Sequence, residues 1–182
     1  MRLIEESTIA IEESIITGRL DMGLIYNPVH AQDLDSDFLL KEYLYLIAPK
    51  DLPIEVTNRG VSLQKAAELP LILPAYPNGH RKLIEIEMIR SACKPNLILE
   101  VNSVRTTFEL VSKGMGCTIF SRKGLVLLPE SEQEKVQLYR IHSSSLITNL
   151  YIATSNKRVM TRTEKTLSKI LRNLCEEYFI EE

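Results

Sequence analysis

From residue 62 to residue 120, short apolar runs alternate with segments of helical period, and that alternation leaves few folds open. Residues 62–69 read as a short helix, Leu71-Ile72-Leu73 as a strand ended by Pro74, and residues 79–93 as a helix carrying Leu83, Ile86 and Ile89. Residues 97–101 read as the next strand. A helix over 103–113 follows, with Val104, Phe108 and Val111 at helical spacing. Gly114 and Gly116 break it before a strand at 117–120. Strands joined through helices cannot pair as hairpins, so a parallel sheet covered on both faces is expected here.

The flanks extend the pattern. Residues 7–17 read as a helix with Ile11, Ile15 and Ile16 near one face, Ser7 or Thr8 as its cap and Gly18 as its stop. Residues 20–26 form an apolar run ended by Asn27-Pro28, the mark of a buried strand, and residues 38–48 a second extended stretch. Pro49, Pro53, Asn58 and Gly60 punctuate the chain after it. Downstream, GLVLL at 124–128 leads into the acidic PESEQEK, and strands at 136–141 and 150–154 flank the polar turn HSSSLITN. From Thr161 the sequence T-R-T-E is a capping box, opening a last helix whose stripe is Leu167, Ile170, Leu171, Leu174 and Tyr178. The layout predicts an α/β protein of two Rossmann-like lobes. Lobe I takes residues 1–49 and 136–182, lobe II takes 61–128, and crossover segments run at 50–60 and 129–135. A pair of crossovers makes a cleft that can close by hinge motion, a common place for a small ligand.

Charge narrows the function. Lys and Arg total 22 against 24 Asp and Glu, a formal −2, so the chain has no general grip on phosphate backbones. Cys93, Cys117 and Cys175 are odd in number and far apart, which argues for reduced thiols and against a disulfide framework or a structural zinc site. The N-terminal MRLIEESTIAIEES is too acidic and too interrupted for a signal or transit peptide, and no apolar run approaches the roughly 20 residues of a membrane helix. A cytoplasmic protein is expected. No nucleophile elbow, phosphate loop, zinc-protease or dinucleotide fingerprint is present; Gly114-Met115-Gly116 precedes a strand where a nucleotide loop would open a helix. No enzyme activity, cofactor or metal is expected.

Several segments, in order, resemble the effector-binding domain of LysR-type transcriptional regulators: RLIEEST and TGRLDMGLIYNP within residues 2–28, YLYLIAP at 43–49, VSLQKAAELPLILPAYPNGHRKLIE at 61–85 and LEVNSVRTTFELVSKGMGCTIF at 99–120. Gly18-Arg19-Leu20-Asp21 fits the family's Gly-x-Leu-Asp closely. The flavour is that of the group including the nitrogen-assimilation and cyanate regulators. The resemblance implies a fold like the type II periplasmic binding proteins, a small effector between the lobes, and homo-oligomers that reach DNA through an N-terminal winged helix-turn-helix. That helix-turn-helix is absent from this chain, which begins near the end of the domain's second strand. Lobe I is therefore expected to lack its first strand and helix. Phe120-Ser121 also departs from the family's apolar-proline ending.

Ligands of such folds collect at carboxyl ends of strands and at helix N-termini, whose free N–H groups suit anions. Four junctions qualify: Ser7-Thr8, Tyr26-Asn27, Pro77-Asn78-Gly79-His80 and Asn102-Ser103, with Thr118 on the strand beyond. Each has a plain alternative, since Ser7, Thr8, Asn102 and Ser103 can simply cap helices, Asn78 and Gly79 can simply turn, and Tyr26 can cap the core. The resemblance favours Thr8, where the family often places a ligand-contacting hydroxyl. His30, His80 and His142 are isolated, and Arg81 and Arg105 are either anion partners or surface charges. The leading expectation is a sensor of a small, anionic effector. A dominant-negative or structural dimerisation fragment, a periplasmic-type solute-binding protein and an unrecognised enzyme are the alternatives.

Overall fold

The structure, a computed structural model, describes residues 2–142 and 146–179. Three residues of the polar turn expected at 142–149 lie outside that range, as does the side chain of Tyr178. The chain divides into two compact units, Met1–Glu42 with Thr148–Glu182, and Tyr43–Ile147. The segments 50–60 and 129–135 both lie within the second unit; the chain passes between units inside one long strand and again near the start of another.

In the first unit, helix α1 (Thr8–Ile16) packs on strand β1 (Met22–Tyr26). Ser7 caps α1, its Oγ accepting from Ala10 N at 3.3 Å, and Gly18 turns the chain out at φ +73°. The contact between helix and strand is close because Gly23 has no side chain: a Cβ there would lie 2.4 Å from Ile11 Cγ2. Ile15, Ile25, Leu34 and Ala153 form the buried core. β1 runs antiparallel to β8 (Ile147–Ser155), with Leu24 opposite Ile152, and β8 in turn neighbours β2 (Leu34–Pro49). β2 begins four residues before the expected stretch at 38–48, because Asp35, Ser36 and Asp37 interrupt the apolar pattern after Leu34. Helix α6 (Arg162–Phe179) opens at the expected capping box: Thr161 Oγ1 accepts from Glu164 N at 3.3 Å and Glu164 accepts from Thr161 N at 2.5 Å.

The second unit holds β3 (Val61–Ser62), α2 (Leu63–Glu68), β4 (Leu71–Leu73), α3 (Gly79–Arg90), β5 (Leu97–Glu100), α4 (Val104–Ser112), β6 (Thr118–Ser121), α5 (Glu130–Gln133) and β7 (Val136–His142). β4 explains the unbroken Leu-Ile-Leu run. Leu71 and Leu73 enter one cluster with Ile84 and Met88 of α3, while Ile72 enters another with Phe108 and Val111 of α4. A strand with helices on both faces has no polar side to show. β4 and β5 are parallel, and Cys117, just before β6, bridges Leu71 in parallel, as the helical connections require. Elsewhere the parallel expectation gives way. The second half of β2 pairs antiparallel with both β6 and β7, because those strands enter from the opposite direction; only the short β3 runs parallel to β7.

Candidate functional site

In the first unit the four candidate residues meet at the carboxyl end of β1. Thr8 Oγ1 accepts from Tyr26 N at 3.3 Å, an N–H on the strand edge facing away from β8. Asn27, at φ +45°, is largely spent on structure: its Oδ1 accepts from Asn149 N at 2.9 Å and its Nδ2 donates to Thr148 Oγ1 at 3.0 Å. The Tyr26 hydroxyl donates to the buried Glu42 at 3.3 Å, and burial, then that carboxylate, pushes the phenol well above its ordinary range. Thr8 is left with a hydroxyl hydrogen to donate, since its oxygen accepts from Tyr26.

A residue that the sequence reading passed over organises this corner. Glu12 is 0% exposed and accepts from Val29 N (2.8 Å), His30 N (3.1 Å) and His30 Nδ1 (2.7 Å). It clamps the loop that follows Asn27. The signal was present: Glu12 sits in the isoleucine-rich helix IAIEESII, one residue after Ile11 and three before the buried Ile15, where a carboxylate needs a reason.

In the second unit the loops leaving β4 and β5 are tied together, Ala75 N donating to Asn102 Oδ1 at 3.0 Å. Asn78 caps α3, its Oδ1 accepting from His80 N (2.9 Å) and Arg81 N (3.2 Å). Ser103 caps α4, its Oγ accepting from Thr106 N (3.2 Å) and from the Thr106 hydroxyl (3.0 Å). Pro77 follows a cis Tyr76–Pro77 peptide and is exposed. Gly79 opens α3 onto free space, for a Cβ there would meet nothing within 4 Å. Pro77, Asn78, Gly79, Asn102 and Ser103 thus form one cluster at the carboxyl ends of two parallel strands.

His80 and Thr118 face elsewhere. The His80 ring lies against Phe120, centroids 4.5 Å apart, and its Nε2 is 2.8 Å from Ile119 O. Burial holds the imidazole below its ordinary pKa, only partly offset by that carbonyl, so the neutral ring carries its proton on Nε2 and donates to Ile119. Thr118 is 0% exposed and donates to Ile72 O at 2.8 Å. Arg81 is no surface charge: with a side chain 6% exposed, it donates to Glu85 (2.6 Å), Glu100 (3.2 Å) and Pro74 O (3.1 Å), and its guanidinium lies 5.3 Å from the Tyr76 ring. Arg105 is exposed and paired with Glu109 at 2.9 Å. Glu85 is pushed up by partial burial, but the Tyr76 hydroxyl and Arg81 outweigh that and hold its carboxyl below the ordinary range. Two hollows within the units, of about 320 and 400 Å³, are lined by other residues. Among the described residues no group of three His, Cys, Asp or Glu could hold a metal ion, and no helix is long and apolar enough to cross a membrane.

A family model described as the LysR substrate binding domain matches residues 1–176. The chain belongs to this family. Among curated relatives, the LysR-type domain is 26% identical to the nitrogen assimilation regulatory protein nac of Klebsiella aerogenes over 178 residues, covering 94% of this chain and 54% of that protein. It is 29% identical over 117 residues to the HTH-type transcriptional regulator YfeR of Shigella flexneri, covering 64% of this chain and 38% of that one. The chain spans about half the length, or less, of the curated relatives it matches. Among solved structures, the regulatory domain of CcmR from Synechocystis PCC6803 in complex with 2-PG superposes with a TM-score of 0.82 at 17% identity, over 94% of this chain and 81% of that one. The BenM effector binding domain with benzoate gives a TM-score of 0.79 at 20% identity, over 100% of this chain and 81% of that one. At these identities the likeness establishes the LysR effector-domain fold.

Proposed function

We propose that this LysR domain senses a small molecule, as part of a cytoplasmic transcriptional regulator whose DNA contacts lie in another segment. The observation that carries the reading is the cluster at the carboxyl ends of β4 and β5, where Asn78, Gly79, Asn102 and Ser103 converge on open space in a fold of known effector binders. In the first unit the Thr8 hydroxyl is the matching candidate. The effector is a small organic anion or a polar analogue of one, held by hydrogen bonds to the second-unit cluster. It acts by its unequal affinity for two states of a homo-oligomer, and so changes how the DNA-binding segments are presented. The chain's formal −2 charge supports leaving DNA to another segment.

Gly79→Ala separates stability from sensing. Position 79 is the first residue of α3 with no neighbour in the way, so alanine should hold or raise folding stability, by about 1 kcal/mol or less. The same methyl would stand where the effector approaches. A thermal-shift screen of small carboxylates and amides, benzoate and shikimate among them, should find stabilisers whose effect drops in Gly79→Ala and in Asn102→Ala. Stabilisers indifferent to both substitutions, or none at all, would remove the reading.

A further inference from the structure

The hollow of about 320 Å³ in the first unit is lined by none of the candidate residues above. Asp35, Ser36 and Asp37 at the start of β2, Ile152 and Thr154 on β8, and Met160 ahead of α6 form it, and all six belong to that one unit. Two of its hydroxyls are idle. Ser36 Oγ is buried and has no hydrogen-bond partner among the described residues. Thr154 is 6% exposed, and its side chain likewise enters no hydrogen bond among the described residues. A buried hydroxyl without a partner costs folding free energy, and a native fold seldom leaves two of them side by side. A ligand in the hollow would complete both.

The charge of the lining gives the ligand its sign. Asp35 is exposed and enters no ion pair among the described residues. Asp37, 71% exposed, meets Arg172 only at 3.7 Å, and that guanidinium also donates to Phe38 O at 3.2 Å. Arg158, two residues before Met160, is held by Glu164 and Asp21. Lys157 is exposed and outside the lining, which contains no Lys or Arg. Two carboxylates and two hydroxyls thus offer oxygen acceptors to a positively charged donor, beside an apolar wall of Ile152 and Met160. A bare metal ion is the poorer fit. Among the described residues no group of three His, Cys, Asp or Glu could hold one, and a hard divalent cation takes about six or more oxygens. A primary ammonium has three N–H donors to place, and its carbon chain gains from an apolar wall.

We propose that this hollow binds a small aliphatic amine, its ammonium among Asp35, Asp37 and the hydroxyls of Ser36 and Thr154, its carbon chain against Ile152 and Met160. The site stands independently of the second-unit cluster, and either can fail without the other.

The test separates charge, hydrogen bonding and apolar contact. Butylammonium, tetramethylammonium, butanol and calcium chloride are titrated at constant ionic strength into the 15N-labelled chain, following the backbone amide signals of Ser36, Thr154 and Met160. Butylammonium should shift all three saturably. Tetramethylammonium, a cation without an N–H, and butanol, a chain without a charge, should bind at least about tenfold more weakly. Tetramethylammonium binding as tightly would overturn the hydrogen-bond assignment, and butanol binding as tightly would overturn the charge assignment. Calcium binding more tightly than butylammonium would make this a metal site and end the proposal. Silence toward all four would leave the hollow to water alone and end it equally. Thr154→Val, similar in shape, supplies an arm that begins without ligand. It should hold or raise the melting temperature, because the hydroxyl it removes has no partner in the fold, and it should lower butylammonium affinity several-fold. A clear drop in melting temperature would show the hydroxyl already satisfied, and an unmoved affinity would show it outside the site; either result counts against the proposal. Asp35→Asn, an exposed change that breaks no ion pair, should also weaken butylammonium several-fold. Unchanged binding in that variant, with a native backbone spectrum, would overturn the role given to the carboxylates.

Discussion

Glu164 shows how a single carboxylate ties sequence to stability. It accepts from Thr161 N as the second half of the capping box and pairs with both terminal nitrogens of Arg158, which also reaches Asp21. The Arg158 guanidinium, working against partial burial and helped by the Thr161 donors, pulls the carboxyl from an ordinary 4.5 down to about 2. A carboxylate lowered on folding stabilises the folded chain above its unfolded value, and the gain drains away as pH falls from about 4.5 to about 2. Melting temperatures followed over that interval should fall more steeply for the native chain than for Glu164→Gln, the difference between the two shrinking toward pH 2. Parallel curves would show that the pair contributes nothing to folding. Arg81 makes the opposite point. The sequence offered it as an anion partner or a surface charge; its side chain is buried and paired with Glu85 one turn along α3 and with Glu100 on β5, which only the tertiary fold brings alongside.

At the scale of elements, the turn before β3 depends on one residue. Gly60 sits at φ +103°, closes a turn with Thr57, and lies against β7 so closely that a Cβ would stand 2.1 Å from Arg140 O. Gly60→Ala combines a disfavoured backbone region with a backbone clash, and about 2–4 kcal/mol of lost stability is expected, read from urea unfolding. A loss under 1 kcal/mol would mean the turn relaxes freely. The elements most legible in the sequence were those whose signals coincide. β4 is apolar because both faces are covered, and α1, α3, α4 and α6 each begin at the serine, asparagine or threonine that can cap them. What stayed hidden was set by partners distant in sequence. The polar start of β2, Asp35 to Asp37, gives no apolar pattern, and β3 is two residues long. The direction of pairing of β6 and β7 against β2 is a matter of topology that alternation cannot encode. At the site, the positions of Asn78, Asn102 and Ser103 were readable as loop and cap residues. That the Asn102 oxygen accepts from Ala75 N was not, since Ala75 lies 27 positions away.

For the whole molecule, the two units are unequal in construction. The second is one continuous stretch, Tyr43–Ile147, containing two clusters of buried apolar side chains. The first is assembled from both ends of the chain and has four buried apolar residues in its cluster, Ile15, Ile25, Leu34 and Ala153. Opening free energy follows buried apolar contact, so amides of α1 and β1 should exchange with deuterium well before those of β4 and β6. Limited proteolysis should trim the first unit and leave a fragment close to residues 43–147. Uniform exchange across both units would show a single cooperative block. The strand order carries a further consequence for biosynthesis. Among the described residues β1 pairs only with β8, so a ribosome releases Met22–Tyr26 long before its partner strand is made. Until β8 emerges that uncharged segment lacks this partner, an exposed strand edge of the kind chaperones shield.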